Sequence, residues 1–214
     1  MSRQLSEMSL EELWQLFPIF LTEYKPYWKD WFEEEAALLK EHLPAEQTVR
    51  ISHIGSTAIK GIQAKPIIDI LVEITENSDL KWFSRYLTSA GYLCMSEEEQ
   101  RLSFNKGYTE QGFAERVFHL HLRRAGDNDE LYFRDYLNAH PQAAGEYVKL
   151  KLSLWKQFEH DRDRYTQGKT EFVKKYTRYA KEQALKQALT EEEQCHGVSQ
   201  DFPYTRRKQE AYLE

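Results

Sequence analysis

Three short stretches place reactive side chains at spacings that chemistry can use: Gly55-Ser56, Asp69 within the apolar run 67–72, and His119 and His121 alternating with Phe118, Leu120 and Leu122. A strand that ends in Gly-Ser and enters a helical turn directs backbone N–H groups forward, and glycine removes the Cβ that would block close approach, so the break suits a phosphate. It also reads as an ordinary strand-to-helix turn. A carboxylate in an apolar strand must be paired, metal-bound or aimed into a solvated cleft, because burying an unpaired charge is costly. Asp69 is therefore either a functional carboxylate or the structural partner of an Arg or Lys. Glu73 shares its face, but four residues of strand separate the two by about 13 Å, too far for one ion. Glu73 is expected at the surface or at a strand end. Two imidazoles at i and i+2 lie about 7 Å apart at the backbone and can converge on one cation or one phosphate. Imidazole favours Zn, Mn, Fe or Ni over Mg. The plainer reading is a pair of half-exposed histidines on a polar sheet face. His53 is either a further member of this group or a packed histidine. Lys65, Lys106, Arg123 and Arg124 lie near these elements, each able to neutralise a phosphate or to remain a solvated surface charge.

The elements that must position these residues follow from periodicity and breakers. Helices are expected over 9–16, over 28–42 with Pro44 as the stop, from Asp79 to Ala90 ended by Gly91, over 127–139, over 141–158 behind Pro141, and over 166–189. Strands are expected over 49–54, 67–74 and 92–95, and over 102–108 and 116–123, the last two joined by a connection containing Gly107 and Gly112. In the second strand Ile68, Ile70, Val72 and Ile74 face one way, and Asp69, Leu71 and Glu73 the other. Tyr132, Phe133 and Tyr136 read as core packing. Helices, then strands, then helices predict an α+β domain with a mixed sheet. One domain is expected over 1–189, followed by a polar tail over 190–214.

The chain has 214 residues and a formal net charge of −6. That is long enough to bury a core without staples, and the acidic balance argues against a broad nucleic-acid surface. Only Cys94 and Cys195 occur, the first in an expected core segment, so neither a disulfide scaffold nor a Cys metal site is expected. With no signal-peptide pattern and no long apolar run, a cytoplasmic protein that does not span a membrane is expected.

Taken together these segments resemble the GrpB family. The stretch HIGSTAIKGIQAKPIIDILVEI (53–74) is similar to its signature, and FHLHL (118–122), YFRDYLNAHPQAAGEY (132–147) and YTQGKTEF (165–172) to its later blocks. The resemblance implies a branch of the nucleotidyltransferase-like superfamily: a mixed β-sheet flanked by helices, with helical N- and C-terminal segments. That superfamily carries Gly-Ser, an intervening segment, Asp-x-Asp/Glu, and a third acid on a neighbouring strand. Here Gly55-Ser56 is followed by residues 57–68 and then Asp69, so the first half fits. The second half departs, because Leu71 stands where the second acid belongs and His119 or His121 is expected at the third. Mg takes oxygen ligands, so two Mg ions are hard to hold with one sure carboxylate plus nitrogens.

The leading expectation is a nucleotidyltransferase-like protein that binds a nucleotide and a divalent metal (Mg or Mn, with Zn as the alternative) and transfers a nucleotidyl group to an unnamed acceptor. Gly55, Ser56, Lys65 and Arg123 would hold phosphates, Asp69, His119 and His121 the metal, with Asp69 and His121 catalytic. A nucleotide- or CoA-binding module without transfer activity, and a single-metal hydrolase built on Asp69, His119 and His121, are the alternatives.

Overall fold

Alternation in the central strands gives one sheet an apolar face and a polar face, and the helices sort themselves accordingly. The computed structural model describes residues 4–197. In chain order the elements are α1 (Leu10–Leu16), α2 (Tyr27–His42), β1 (Thr48–Ile54), β2 (Ile68–Ile74), α3 (Leu80–Ser89), β3 (Leu93–Glu97), β4 (Arg101–Thr109), β5 (Gly112–Arg124), α4 (Asp129–Ala139), α5 (Pro141–Phe158) and α6 (Arg162–Gly197). The strands form one mixed sheet in the order β1-β2-β5-β4-β3, as expected for an α+β domain. The β2–β5 pair is parallel and the other pairs are antiparallel.

On the apolar face Ile68, Ile70, Val72 and Ile74 of β2 and Phe118, Leu120 and Leu122 of β5 pack with Trp28 and Leu39 of α2 and Phe83 and Leu87 of α3. Each fully buried aliphatic side chain contributes about 1.5–3 kcal/mol, so this layer anchors the sheet. The other face carries polar rows. Register places Ile54, Asp69, His119, Asn105 and Leu93 in one row, and Ser52, Leu71, His121 and Ser103 in the next. The helices α4, α5 and α6 pack together through Phe133, Tyr147 and Tyr176. Leu131 of α4 reaches Ile54 and Leu71 on this polar face.

Several expectations are corrected. Glu73 is not at the surface: it is 1% exposed. Its carboxylate accepts from Arg50 Nε (2.6 Å), Gly126 N (3.2 Å) and Asn128 Nδ2 (2.8 Å), which removes the cost of burying it. Cys94 is exposed rather than in the core, because β3 is an edge strand with every residue exposed. Tyr132 is also exposed, with Lys181 over its ring, while Phe133 is buried. Gly107 and Gly112 lie within strands, and only Glu110-Gln111 forms the turn. Gly107 (φ 90°) accommodates a register shift between Lys106 and Tyr108, and a Cβ there would strike the Arg116 carbonyl. The last helix starts at Arg162 instead of Thr166, because the Asp161 carboxylate accepts from Arg164 N at 3.0 Å. It continues through Gly197, so the boundary expected at 190 falls inside it, and 198–214 lie outside the described residues. Among the described residues no helix is long and apolar enough to cross a membrane.

Candidate functional site

The strand β1 ends at Ile54, in register with Asp69 of β2. The chain then turns at Gly55, with φ +70°, into a single 3-10 turn over Ser56–Ala58. A Cβ on Gly55 would overlap the Asp69 carboxylate. Glycine is therefore demanded twice, by the left-handed backbone and by the close approach. The Gly-Ser break and Asp69, separate in sequence, form one locus. The Ser56 side chain faces the hydroxyl of Tyr147 on α5, whose pKa burial pushes up to about 12, so it stays a proton donor.

Parallel pairing sets Asp69 beside His119 and Leu71 beside His121. Asp69 Oδ1 lies 3.4 Å from His119 Nδ1 and 3.9 Å from His121 Nε2. Burial alone would raise the Asp69 pKa, but the contacts from the two histidines outweigh it and hold the carboxyl below the usual carboxylate range. Burial pushes His119 down against the pull of Asp69. A neutral His119 directs Nδ1–H at Asp69 and accepts the Tyr108 hydroxyl proton at Nε2, 2.8 Å away. The three side chains form a directed chain from Tyr108 to Asp69.

Cations surround this carboxylate. Lys65, between the 3-10 turn and β2, has its pKa pushed down to about 7 by burial and by Arg162 and Lys169, with Asp69 opposing. Lys169 is pushed down to about 8 by burial, with Asp69 opposing and Arg162 adding to it. Beneath them Lys151, 1% exposed, donates to the Gln63 carbonyl at 2.5 Å. Lys169 lines a cavity of about 700 Å³ together with Gly55, Ser56, Asp69, His121 and Tyr147. The lysines lose their protons easily chiefly because they are buried, and a buried lysine in a cavity is a candidate partner for an anion.

The structure therefore brings together Gly55, Ser56, Asp69, His119 and His121, whereas Lys65 lines a separate pocket with Phe20, Pro66 and Phe113. Arg123 is placed differently. It is 7% exposed, and its Nη1 donates to the Leu102 and Leu122 carbonyls at 3.0 and 3.1 Å. Its Nη2 lies 3.3 Å from His121 Nδ1, so it braces that ring from behind rather than lining the cavity. Lys106 pairs with Glu35, and Arg124 donates to the Thr75 and Ser78 carbonyls. His53 is a packed histidine: it stacks on Phe32 at 4.8 Å and bonds Thr57 Oγ1 at 3.0 Å, and burial pushes it down to about 4.

The donor set does not fit the two-metal clamp that the superfamily resemblance implies. Leu71 offers no oxygen, and Glu73 is committed to Arg50 and Asn128. Among the described residues no three His, Cys, Asp or Glu side chains assemble to hold an ion.

Sequence reasoning missed Lys169, Arg162, Tyr147 and Tyr108. One signal was present: Arg162 and Lys169 are two helical turns apart and share a face of α6.

The comparisons agree with this architecture. Residues 18–179 match the GrpB protein family. The chain is 38% identical over 161 residues to the glutamate-rich protein GrpB of Alkalihalophilus pseudofirmus, covering 72% of this chain and 91% of that protein. It is 36% identical over 154 residues to a UPF0157 protein of Bacillus subtilis, covering 71% of this chain but 44% of that one. The crystal structure of the conserved protein GrpB from Enterococcus faecalis superposes with a TM-score of 0.67 at 32% identity, covering 78% of this chain and 99% of the other. The chain belongs to the GrpB family.

Proposed function

We propose that this cavity binds the phosphate groups of a nucleotide or a related phosphorylated small molecule, and that the protein is a nucleotidyltransferase-like enzyme. In this reading Ser56 and Lys169 hold the phosphates, with the backbone at Gly55 free to approach them, and Lys65 and Arg162, which line neighbouring pockets, add positive potential. The ionised Asp69 and His121 handle the proton released by an attacking acceptor. The observation that carries the reading is the buried Lys169, which lines the cavity beside Ser56 and Asp69, while Asp129 and Glu182 in the same lining are paired with Lys181 and Arg178. Charge of that kind, desolvated in advance, stabilises an anion without further reorganisation. No step is assigned to a metal, since the donors present do not suit a two-metal clamp.

The test is thermal denaturation of wild type, Lys169→Gln and Asp69→Asn with nucleoside triphosphates, CoA and inorganic tripolyphosphate. A ligand at a hundred times its Kd stabilises the native state by about 2.7 kcal/mol. Wild type should be stabilised by a phosphorylated ligand and Lys169→Gln much less. Equal shifts in both, or none in either, would remove the reading. Binding without turnover on any acceptor would favour the module without transfer activity, for which Leu71 is the supporting residue.

A further inference from the structure

A second cleft, of about 1180 Å³, opens on the other side of the same histidines. Its roof is α1, its outer wall β3, and its floor β4, and it reaches His119, His121 and Arg162 at its inner end. The roof is fixed in place: Phe17, just past α1, packs on Tyr108 and Phe113 with ring centroids 4.7 and 5.1 Å away. Yet roof and wall do not close on each other. No residue of α1 is buried, Leu10 is 56% exposed, and Leu93 and Met95 opposite are 49% and 56% exposed. Two apolar surfaces held apart across a wet cleft leave unfavourable hydration in place unless something apolar lies between them.

A second observation points to a ligand with a polar group as well. Asn105 is only 5% exposed and lines this cleft, in the row that runs from Leu93 to His119. Its carboxamide has no side-chain partner among the described residues and is not sealed from solvent, so it stays open to the cleft. Its donor and acceptor face the cleft between the apolar wall and the histidines. The third observation is the connection: His121 lines both this cleft and the phosphate cavity.

We propose that this cleft binds the acceptor substrate, a small molecule with an apolar or aromatic body and a hydroxyl or amino group. The inference rests on the phosphate-binding reading of the first cavity. The apolar body lies between α1 and β3, Asn105 bonds its polar group, and its nucleophile is delivered at His121. In the reaction the acceptor oxygen or nitrogen forms a bond to the α-phosphorus of the nucleoside triphosphate. The bond from that phosphorus to the bridging oxygen breaks, pyrophosphate leaves with the electron pair, and the acceptor proton passes to His121 beside Asp69. Walls on both sides and the end closed by α6 suit a small molecule, and the volume of about 1180 Å³ lies somewhat above the roughly 300–1,000 Å³ usual for such sites, room enough for an aromatic body.

The probe is 2-naphthol, an uncharged aromatic alcohol, titrated against the intrinsic fluorescence of the full chain, in which Trp14 lines the cleft. Wild type, Leu93→Glu and Asn105→Ala are compared, and tripolyphosphate binding is measured on the same samples. Saturable naphthol binding should weaken at least about tenfold in Leu93→Glu, where a charge enters the apolar wall. It should also weaken in Asn105→Ala, while tripolyphosphate affinity stays unchanged in Leu93→Glu. Naphthol that fails to bind, or binds all three proteins equally, overturns the cleft as a ligand site. A dimer that Leu93→Glu converts to monomer also overturns it, since a second copy would then be the occupant. Naphthol binding that responds to both variants, in a protein indifferent to tripolyphosphate, overturns the acceptor role and the phosphate reading together while leaving the cleft as a binding site.

Discussion

Sulfate binding to the phosphate cavity should weaken as pH rises from about 7 to about 9. Sulfate keeps its charge across this range, so any pH dependence belongs to the protein. Lys65 is pushed down to about 7 and Lys169 to about 8, each by burial and by Arg162, with Asp69 opposing. A dianion bound in the cavity restores the Lys169 ammonium towards its ordinary value of about 10.4. Between these limits Lys169 must be protonated before the anion binds, and the affinity falls accordingly. Carrying it from about pH 7 to about pH 9 gives a loss of about tenfold, to which Lys65 in the adjoining pocket adds. The same values require uptake of at least roughly 0.5 protons on binding at about pH 8. Isothermal titration in buffers of different ionisation enthalpy measures that number directly. Lys169→Met should lower both the affinity at neutral pH and the proton uptake. Affinity that is flat or rising across the window, or binding with no proton uptake, would refute the argument that Lys169 holds the anion.

The ligand-free protein should gain stability over part of the same range. The two lysines titrate lower in the folded chain than in the unfolded one, so between about pH 7 and about pH 10 the unfolded state binds more protons, and stability rises with pH. Urea denaturation at several pH values checks this, and Lys65→Met should flatten the slope. Gly55→Ala should cost about 3 kcal/mol or more, from a left-handed backbone plus overlap with the Asp69 carboxylate. Adding Asp69→Ala should recover the overlap part, so the two changes should be strongly non-additive in a double-mutant cycle. Glu73→Ala should cost about 3 kcal/mol in urea denaturation, because the Gly126 amide and Asn128 lose their acceptor and Arg50 loses its partner. An effect below about 1 kcal/mol would mean that water replaces the carboxylate freely.

Much of the site was legible because strand alternation is a local code. Asp69 and the two histidines had to share faces with Glu73 and Arg123, and parallel register then set them side by side. Gly55-Ser56 and Asp69 belong to neighbouring strands, so their meeting was close to a local event too. Lys169 and Arg162 were not legible in that way. They line the two cavities beside Asp69 and the histidines only because α6 packs on α4 and α5, and the Asp161 cap that starts this helix was not recognised. Glu73 was misjudged for a related reason: Arg50 comes from the adjacent strand and Asn128 from beyond β5, and neither is visible along the Glu73 strand itself. Arg123 carried the right charge at the right strand, but its neighbours' carbonyls claim it. Cys94 sat in an apolar-looking segment whose position at the sheet edge is decided by topology.

The parallel pairing of β2 with β5 bears on how the pocket comes into being during synthesis. Its carboxylate emerges from the ribosome early, its histidines only after β3 and β4, and its lysine on α6 last of all. No two of these can meet until the segments between them have folded back, and contacts of such long range form slowly. A nascent chain halted before α6 would hold all five strands, α4 and α5, but neither Arg162 nor Lys169. The cavity that Lys169 lines is thus assembled only once α6 has been made and has packed on the helices before it.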